Sequence, residues 1–222
     1  MNGTRYLMVL MGFYTPVHAS LVALLLASPW IRGASAVAAL AGLGLLYLFP
    51  PFAARGVLAL WGPPGPGVAL GSGPFFRWWA LSQLQLVFNR LPLLEELLRL
   101  VPGLYSAWLR LWGARVGRYV FWSPGVVIAD RYLLEVGDQV VVGMGARIVS
   151  HVIVDGDGGG RRLLAAPVVI GSHAVVGGFS TLGPGCRIAD GESPPALVIL
   201  PPFSVWNGAR RWSRRTAGGD PR

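Results

Sequence analysis

The segment Val136–His151 reads VGDQVVVGMGARIVSH and repeats every six residues. Val136, Val142 and Ile148 each begin a unit with an aliphatic residue, which a small or variable residue follows. An amphipathic helix would repeat its apolar positions every 3.6 residues. A six-residue step instead fits a short flat strand followed by a tight corner. The pattern therefore predicts a series of short strands separated by corners.

The same period extends on both sides of this segment. Ten of its thirteen starting positions are Val, Ile or Leu, and glycine follows six of the thirteen. We attribute these glycines to corners that need unusual dihedrals. Such repeats mark a solenoid in which each rung buries its apolar face against its neighbours, here with three units in each triangular coil. The units begin at Val116, Trp122, Ile128, Val136, Val142, Ile148, Ile170, Val176, Leu182, Ile188, Pro194, Leu200 and Trp206.

The fifth position of each unit is predicted to point inward as well. The only cysteine of the chain, Cys186, falls on such a position, so we expect it to be a small core residue and not a reactive thiol. A single cysteine also excludes an internal disulfide framework and a cysteine-based zinc cluster. The fifth positions are Val120, Val126, Val140, Ala146, Val152, Ala174, Ser180, Cys186, Val198 and Ser204.

The N-terminal part of the chain has the composition of a membrane protein. Mean hydropathy is +0.54 and 13% of residues are charged, against about 25% in soluble domains. Tyr6–Ile31 and Ala34–Ala53 are runs of 26 and 20 residues without Asp, Glu, Lys or Arg. Each is long enough to span a bilayer. We prefer a two-helix hairpin to a cleaved signal peptide, because the first run is long and a second follows it directly.

Arginines indicate the orientation of this hairpin. Arg5 and Arg55 flank it, whereas its tip carries only Arg32. The positive-inside rule then places the termini, and all residues after 55, in the cytoplasm. The expected location is the inner (cytoplasmic) membrane.

These patterns divide the chain into five parts. Gly62–Pro74, GPPGPGVALGSGP, has the glycine and proline density of a linker. The helices that follow it have an apolar face rich in Trp and Leu, and two interpretations remain open: they lie in the membrane interface, or they pack against the next domain. The parts are a transmembrane hairpin (1–55), the linker (56–74), the amphipathic helices (75–113), the repeat domain (114–209) and a basic tail (210–222).

Positive charge dominates the chain, with a formal net charge of +9. It is most concentrated at Arg210, Arg211, Arg214 and Arg215. Such a cluster binds anionic lipid headgroups or the phosphates of a soluble ligand. No recognised nucleic-acid-binding motif accompanies the charge, so we expect no nucleic-acid partner.

Residues 116–211 resemble the left-handed parallel β-helix of the hexapeptide-repeat acyltransferase family. VGDQVVVGMGARIVSH, a loop, APVVIGSHAVVGGFSTLGPGCRI and LPPFSVWNGARRW follow one another as the corresponding segments do in that family. The preceding YSAWLRLWGARVGR is similar to the entry of the β-helix in the membrane-bound C-terminal regions of poly-ε-lysine-synthetase-like proteins, which build amide bonds. The resemblance implies a homotrimer with its sites at subunit boundaries.

The resemblance also implies a catalytic base. His151 matches the histidine that removes a proton from an acceptor hydroxyl or amine, which then attacks the thioester of acyl-CoA. The resemblance implies acetyl-CoA as the donor. Imidazole suits this role because its pKa lies near the working pH. The following loop, Val154–Ala166, would overhang a neighbouring subunit. Asp155 or Asp157 would orient the imidazole, although both are equally well explained as turn residues.

The donor site is implied by position as well. Gly177, Gly178 and Ser180 match the positions that hold the pantetheine arm of CoA. Arg210 and Arg211 are placed to bind its phosphates, and contact with lipid headgroups explains these arginines nearly as well.

Contact with a ligand and metal binding are two further roles that a histidine could have. His173 occupies the same position in its unit as His151 and is a weaker candidate for contact with a ligand. A catalytic zinc site of the carbonic anhydrase type needs three histidines. The repeat domain contains two, His151 and His173, so we expect no metal.

Three functions remain open at this point. The first is a membrane-anchored acyltransferase that acts on a hydroxyl or amine of a small-molecule or lipid-linked acceptor. The second is an amide-forming condensing module whose donor is a carrier-protein thioester. The third is a non-catalytic trimeric membrane scaffold.

Overall fold

A computed structural model describes residues 3–32, 36–156 and 159–208. Asp157, Arg210, Arg211 and the basic tail at 210–222 lie outside the described residues. The roles that the sequence predicts for them stay predictions.

Four helices form the N-terminal part: α1 (Gly3–Gly12), α2 (Tyr14–Arg32), α3 (Ala36–Tyr47) and α4 (Phe49–Trp61). Two segments, Tyr6–Trp30 and Ala36–Trp61, are long and apolar enough to cross a membrane by length and composition. The second segment continues past Ala53, where the sequence predicted its end, because no charged residue except Arg55 interrupts it. The linker therefore begins at Gly62 and not at residue 56.

Three more helices follow the linker: α5 (Gly73–Arg90), α6 (Leu93–Arg99) and α7 (Leu104–Leu111). The hydroxyl of Ser72 caps α5 by accepting a hydrogen bond from the backbone of Phe75 at 3.3 Å. The inner faces of these helices pack against the repeat domain, where Trp122 Nε1 donates to Ser106 Oγ at 2.9 Å. For the inner faces, packing against the next domain is the correct interpretation.

The remaining strands build a β-helix. The described strands are β1 (Val68–Ala69), β2 (Arg115–Val116), β3 (Phe121–Trp122), β4 (Val127–Ile128), β5 (Leu134–Val136), β6 (Val141–Val142), β7 (Arg147–Ile148), β8 (His151–Asp155), β9 (Arg161–Ala165), β10 (Val168–Ile170), β11 (Val175–Val176), β12 (Thr181–Leu182), β13 (Arg187–Ile188), β14 (Ile199–Leu200) and β15 (Val205–Trp206). The strands of the β-helix lie in three parallel sheets, ordered β2-β5-β10-β13-β15, β3-β6-β11 and β4-β7-β12-β14. Because consecutive strands enter successive sheets, the predicted triangular solenoid is confirmed.

The core of the solenoid consists of the predicted inward positions. Every unit start is buried except Trp206, which is half-buried. Cys186 is fully buried, and burial raises the pKa of its thiol to about 12. It is therefore a core residue, as predicted.

The corner glycines are required for a physical reason that differs from the predicted one. None of the six that follow a unit start has a positive φ. A Cβ on any of them would lie 2.3–2.9 Å from atoms of the next coil, so they are needed where coils approach closely. The positive φ angles fall two residues later, at positions that include Tyr119 and Phe179. The six glycines are Gly117, Gly137, Gly143, Gly171, Gly177 and Gly183.

The segment 154–166, which the sequence predicted to be a loop, instead belongs to a β-hairpin that starts at His151. β8 and β9 pair in antiparallel fashion, with His151 opposite Ala165. β1 from the linker adds a third strand to this hairpin, with Val68 opposite Leu163. The prediction that Val152 is an inward rung is therefore wrong, because the chain has already left the coil at this position.

Two adjacent glycines test the close approach of the coils. A Cβ on Gly177 would lie 2.3 Å from the backbone of Pro195, whereas a Cβ on Gly178 would lie 3.2 Å from the nearest atom, Met144 O. We expect Gly177→Ala to lower the free energy of unfolding by about 3 kcal/mol, at the upper end of overpacking costs. The matched variant Gly178→Ala should cost clearly less. Chemical denaturation in detergent measures both, and equal losses would contradict this account.

Candidate active site

Two neighbouring corners bring a carboxylate and an imidazole together. Asp130 follows β4 and His151 follows β7, and these strands are parallel neighbours with Ile128 opposite Ile148. Asp130 Oδ2 lies 2.6 Å from His151 Nδ1. The two side chains therefore form a hydrogen-bonded dyad, which we call the Asp130–His151 dyad.

Asp130 replaces the orienting carboxylate that the sequence predicted. Asp155 points into solvent, with its side chain 96% exposed and 4.0 Å from Arg161. It lies four residues along an extended strand from His151, a distance of about 13 Å. Its predicted orienting role is therefore wrong. Asp130 could have been identified from its position one coil before His151, because Val127 and Arg147 are paired in neighbouring strands.

Burial and charge act in opposite directions on His151. Burial lowers the pKa of the imidazole, but the hydrogen bond to Asp130 and its negative charge together outweigh burial and raise the pKa above 6.5. The imidazole side chain is 28% exposed, whereas that of Asp130 is 1% exposed. A neutral His151 donates Nδ1–H to the carboxylate. Its Nε2 then carries the free lone pair and has no hydrogen-bond partner among the described residues.

Aromatic and unpartnered polar groups surround the dyad. The ring of Trp78 on α5 meets the imidazole edge-on, with ring centroids 4.9 Å apart. Burial, together with the negative charge of Asp130, raises the pKa of the Tyr132 phenol. Within the described part of the chain, Asp130 Oδ1, Trp78 Nε1 and Tyr132 Oη are buried without partners. Buried polar groups are normally satisfied, so these three atoms have hydrogen-bonding capacity left for water or a substrate.

Arg131, the residue after Asp130, attaches this corner to the helices. Its side chain is 1% exposed, and its Nε donates to Glu95 Oε1 at 2.7 Å while Nη2 donates to the same oxygen. Nη1 donates to Asn89 Oδ1 at 3.0 Å. The backbone N–H of Arg131 donates to Gln85 Oε1 at 2.8 Å. Helices α5 and α6 therefore fix the backbone that carries Asp130.

The other carboxylate oxygen of Glu95 completes this buried network. It accepts hydrogen bonds from Tyr105 Oη at 2.7 Å and from Arg99 Nη2 at 3.2 Å. Arg99 Nη2 also donates to the carbonyl of Val126 at 2.8 Å. The sequence does not reveal this network, because Glu95 and Arg99 are simply charged residues within the predicted amphipathic helices.

The predicted donor-site residues lie at another corner. Gly177, Gly178 and Ser180 fall between β11 and β12, whereas the dyad lies where the chain leaves β4 and β7. The Ser180 hydroxyl is buried and is used inside the coil, where it donates to Pro195 O and accepts from Val198 N, both at 3.2 Å. The hydroxyl is therefore engaged inside the coil, and contact of Ser180 with CoA stays a prediction. For Gly177 and Gly178 contact with CoA stays a prediction.

His173 lies between β10 and β11, at the third corner of the coil. It is exposed and has a φ of 61°. The structure does not bring it to the dyad. In the part of the chain that the structure describes, no group of three or more His, Cys, Asp or Glu side chains could hold a metal ion.

Solved structures similar to part of this chain are acetyltransferases. A hexapeptide-repeat-containing acetyltransferase from Vibrio cholerae is 16% identical, with 54% of this chain and 86% of that chain covered and a TM-score of 0.33. A galactoside acetyltransferase in complex with coenzyme A is 17% identical over 55% of this chain and 76% of its own, with a TM-score of 0.32. A maltose O-acetyltransferase from Clostridium difficile 630 is 15% identical over 72% and 95%, with a TM-score of 0.36. No family model and no curated protein matches the chain.

The pKa of His151 reports whether the helices hold Asp130 in place. Asp130→Asn should lower this pKa, because it removes the anion and leaves the effect of burial. Gln85→Met should lower it as well, because the backbone of Arg131 loses its acceptor. Gln83→Met is the matched control, since Gln83 is also buried on α5 but is not among the described hydrogen-bond partners of Arg131. NMR titration of the three histidines measures all variants; equal pKa values in the Gln85 and Gln83 variants would contradict the role of the network.

Proposed function

We propose that the chain is an acyltransferase that moves an acyl group from acyl-CoA to a hydroxyl or amine. Acetyl is the acyl group that we favour. One observation carries this proposal: His151 Nδ1 lies 2.6 Å from Asp130 Oδ2, while Nε2 is unpartnered on a side chain that is 28% exposed. A buried carboxylate that fixes one ring nitrogen leaves the other as a general base.

The reaction that suits this dyad is nucleophilic acyl transfer. His151 Nε2 removes the proton of the acceptor hydroxyl or amine as its oxygen or nitrogen forms a bond to the thioester carbonyl carbon. Asp130 stabilises the imidazolium that results. When the tetrahedral intermediate collapses, the carbon–sulfur bond breaks, and the CoA thiolate takes the proton back from His151. The acceptor leaves as an ester or amide, and the base is regenerated.

A complete site would need a second copy of the chain. The dyad and the predicted CoA positions at Gly177 and Gly178 lie at different corners of the β-helix, so a neighbouring subunit would supply one of the two. The homotrimer and the left-handed coil implied by the sequence resemblance belong to this proposal. An apolar ladder supports the assembly, since Phe121, Val141 and Val175 pair in register across β3, β6 and β11 and are exposed.

The two apolar segments would anchor this assembly in the inner membrane, with the β-helix in the cytoplasm. Their length and composition support the anchor. The flanking arginines of the sequence support the orientation. The acceptor would be a small molecule or a lipid-linked one.

Acyl transfer tests the base directly. His151→Asn keeps the shape of the side chain but removes the base, and we expect kcat to fall by about 100-fold or more. The purified full chain in nanodiscs is given a pool of acyl-CoAs and of alcohol and amine acceptors, and mass spectrometry detects the products. Activity should rise with pH through the raised pKa of His151, because the base must be neutral.

His173→Asn is the matched control, because it changes the other histidine of the repeat domain at a distant corner. It should retain kcat within a few-fold. Full turnover in His151→Asn would contradict the proposal. Transfer only from a carrier-protein thioester would favour the condensing module, and no transfer from either donor would favour the scaffold.

The oligomeric state tests the subunit boundary. Val175→Arg places a charge on the apolar ladder, and we expect the trimer to dissociate because an unpaired charge is costly to bury. Val169→Arg, on β10 of the same coil but in another sheet, should leave the trimer intact. Native mass spectrometry from detergent measures both variants. A monomeric wild-type protein would overturn the shared site.

A further inference from the structure

Helix α6 exposes the leucines on one of its sides, whereas Glu95, one of its two acids, is buried. Leu93, Leu97 and Leu100 are 68%, 48% and 76% exposed, whereas Glu95 is 3% exposed. The spacings of four and three residues place the leucines on one side of the helix. A helix at a water-exposed surface has the opposite arrangement. We define the α6 outer face as the exposed apolar residues Leu91, Leu93, Leu97, Leu100, Val101 and Leu104.

Positive charge borders this face. Residues 1–129 contain nine arginines and two acidic residues, Glu95 and Glu96, and Arg99 forms ion pairs with both acids. Arg110 and Arg118 are exposed and line one groove of about 670 Å³ together with Val101 of the α6 outer face. Exposed arginines beside an apolar face complement anionic lipid headgroups, at about 1 kcal/mol for each side chain near the surface.

The α6 outer face is also continuous with the apolar hairpin. Tyr47 Oη donates to the carbonyl of Leu94 on α6 at 2.9 Å. Trp108 Nε1 on α7 donates to the carbonyl of Tyr47 at 2.8 Å. The hairpin residues that follow, Leu48 and Phe49, are themselves exposed and apolar. An apolar surface therefore extends from the hairpin onto α6.

We propose that the α6 outer face is inserted into the surface of an anionic lipid bilayer. It forms a second membrane contact beside the hairpin. Because Glu95 on the inner side of the same helix holds Arg131, this contact sets the height of the Asp130–His151 dyad relative to the membrane. The insertion itself does not depend on the proposed reaction.

Spin labels test this insertion in the full-length protein. Leu97→Cys and Leu100→Cys are labelled in nanodiscs of phosphatidylglycerol and phosphatidylcholine, and the native Cys186 stays unlabelled because it is fully buried. Labels in lipid collide more with oxygen than with a water-soluble nickel chelate. Leu24→Cys on the hairpin serves as the lipid control, and Ser193→Cys on the exposed surface of the β-helix serves as the water control.

We expect the Leu97 and Leu100 labels to behave like Leu24→Cys. In nanodiscs of phosphatidylcholine alone they should lie at a shallower depth, because the arginines lose their anionic partners. Behaviour like that of Ser193→Cys would overturn the insertion. Labels shielded from both reagents would overturn it as well, since a protein surface would then cover the face. An unchanged depth in phosphatidylcholine would overturn the anionic preference.

Discussion

The buried ion pair between Arg131 and Glu95 is the constraint on which the rest of the structure depends. Two charges inside a protein are tolerated only when hydrogen bonds satisfy their remaining groups. Gln85 and Asn89 on α5 and Tyr105 on α7 supply these bonds, while Glu95 itself lies on α6. Loss of one partner would leave an uncompensated charge, at a cost of about 3–5 kcal/mol. The ion pair thus joins the helices and the first coils into one unit.

This attachment links the fold to the chemistry. Asp130 precedes Arg131 directly, so the network that satisfies the guanidinium also fixes the turn that carries the carboxylate. The backbone of His151 is fixed in another way, because His151 lies where the coil ends and the β8–β9 hairpin begins. The helices meet it there too, through the ring of Trp78 on α5. A fold built only from local repeats therefore obtains its reactive pair from two stacked corners and a helix that covers them.

The sequence was a good guide to the repeat and a poor one to the contacts between coils. The six-residue period identified nearly every inward position, because strand and corner geometry is local. It failed at Val152, where the chain leaves the coil, and it gave the wrong reason for corner glycines such as Gly177. Asp130 was missed because its partner lies one coil away, across the short 3₁₀ helix at Arg131–Leu133. The inward position of Glu95 depends on Arg131, which a helical pattern alone does not reveal.

The tautomer of neutral His151 shows directly whether Asp130 holds Nδ1–H and leaves Nε2 as the base. Nitrogen-15 NMR of histidine-labelled protein, at a pH above the raised pKa of His151, distinguishes the two ring nitrogens. Variants of His18 and His173 assign the signals. We expect a proton on Nδ1 of His151 and a bare Nε2; a proton on Nε2 instead would contradict the role of Asp130.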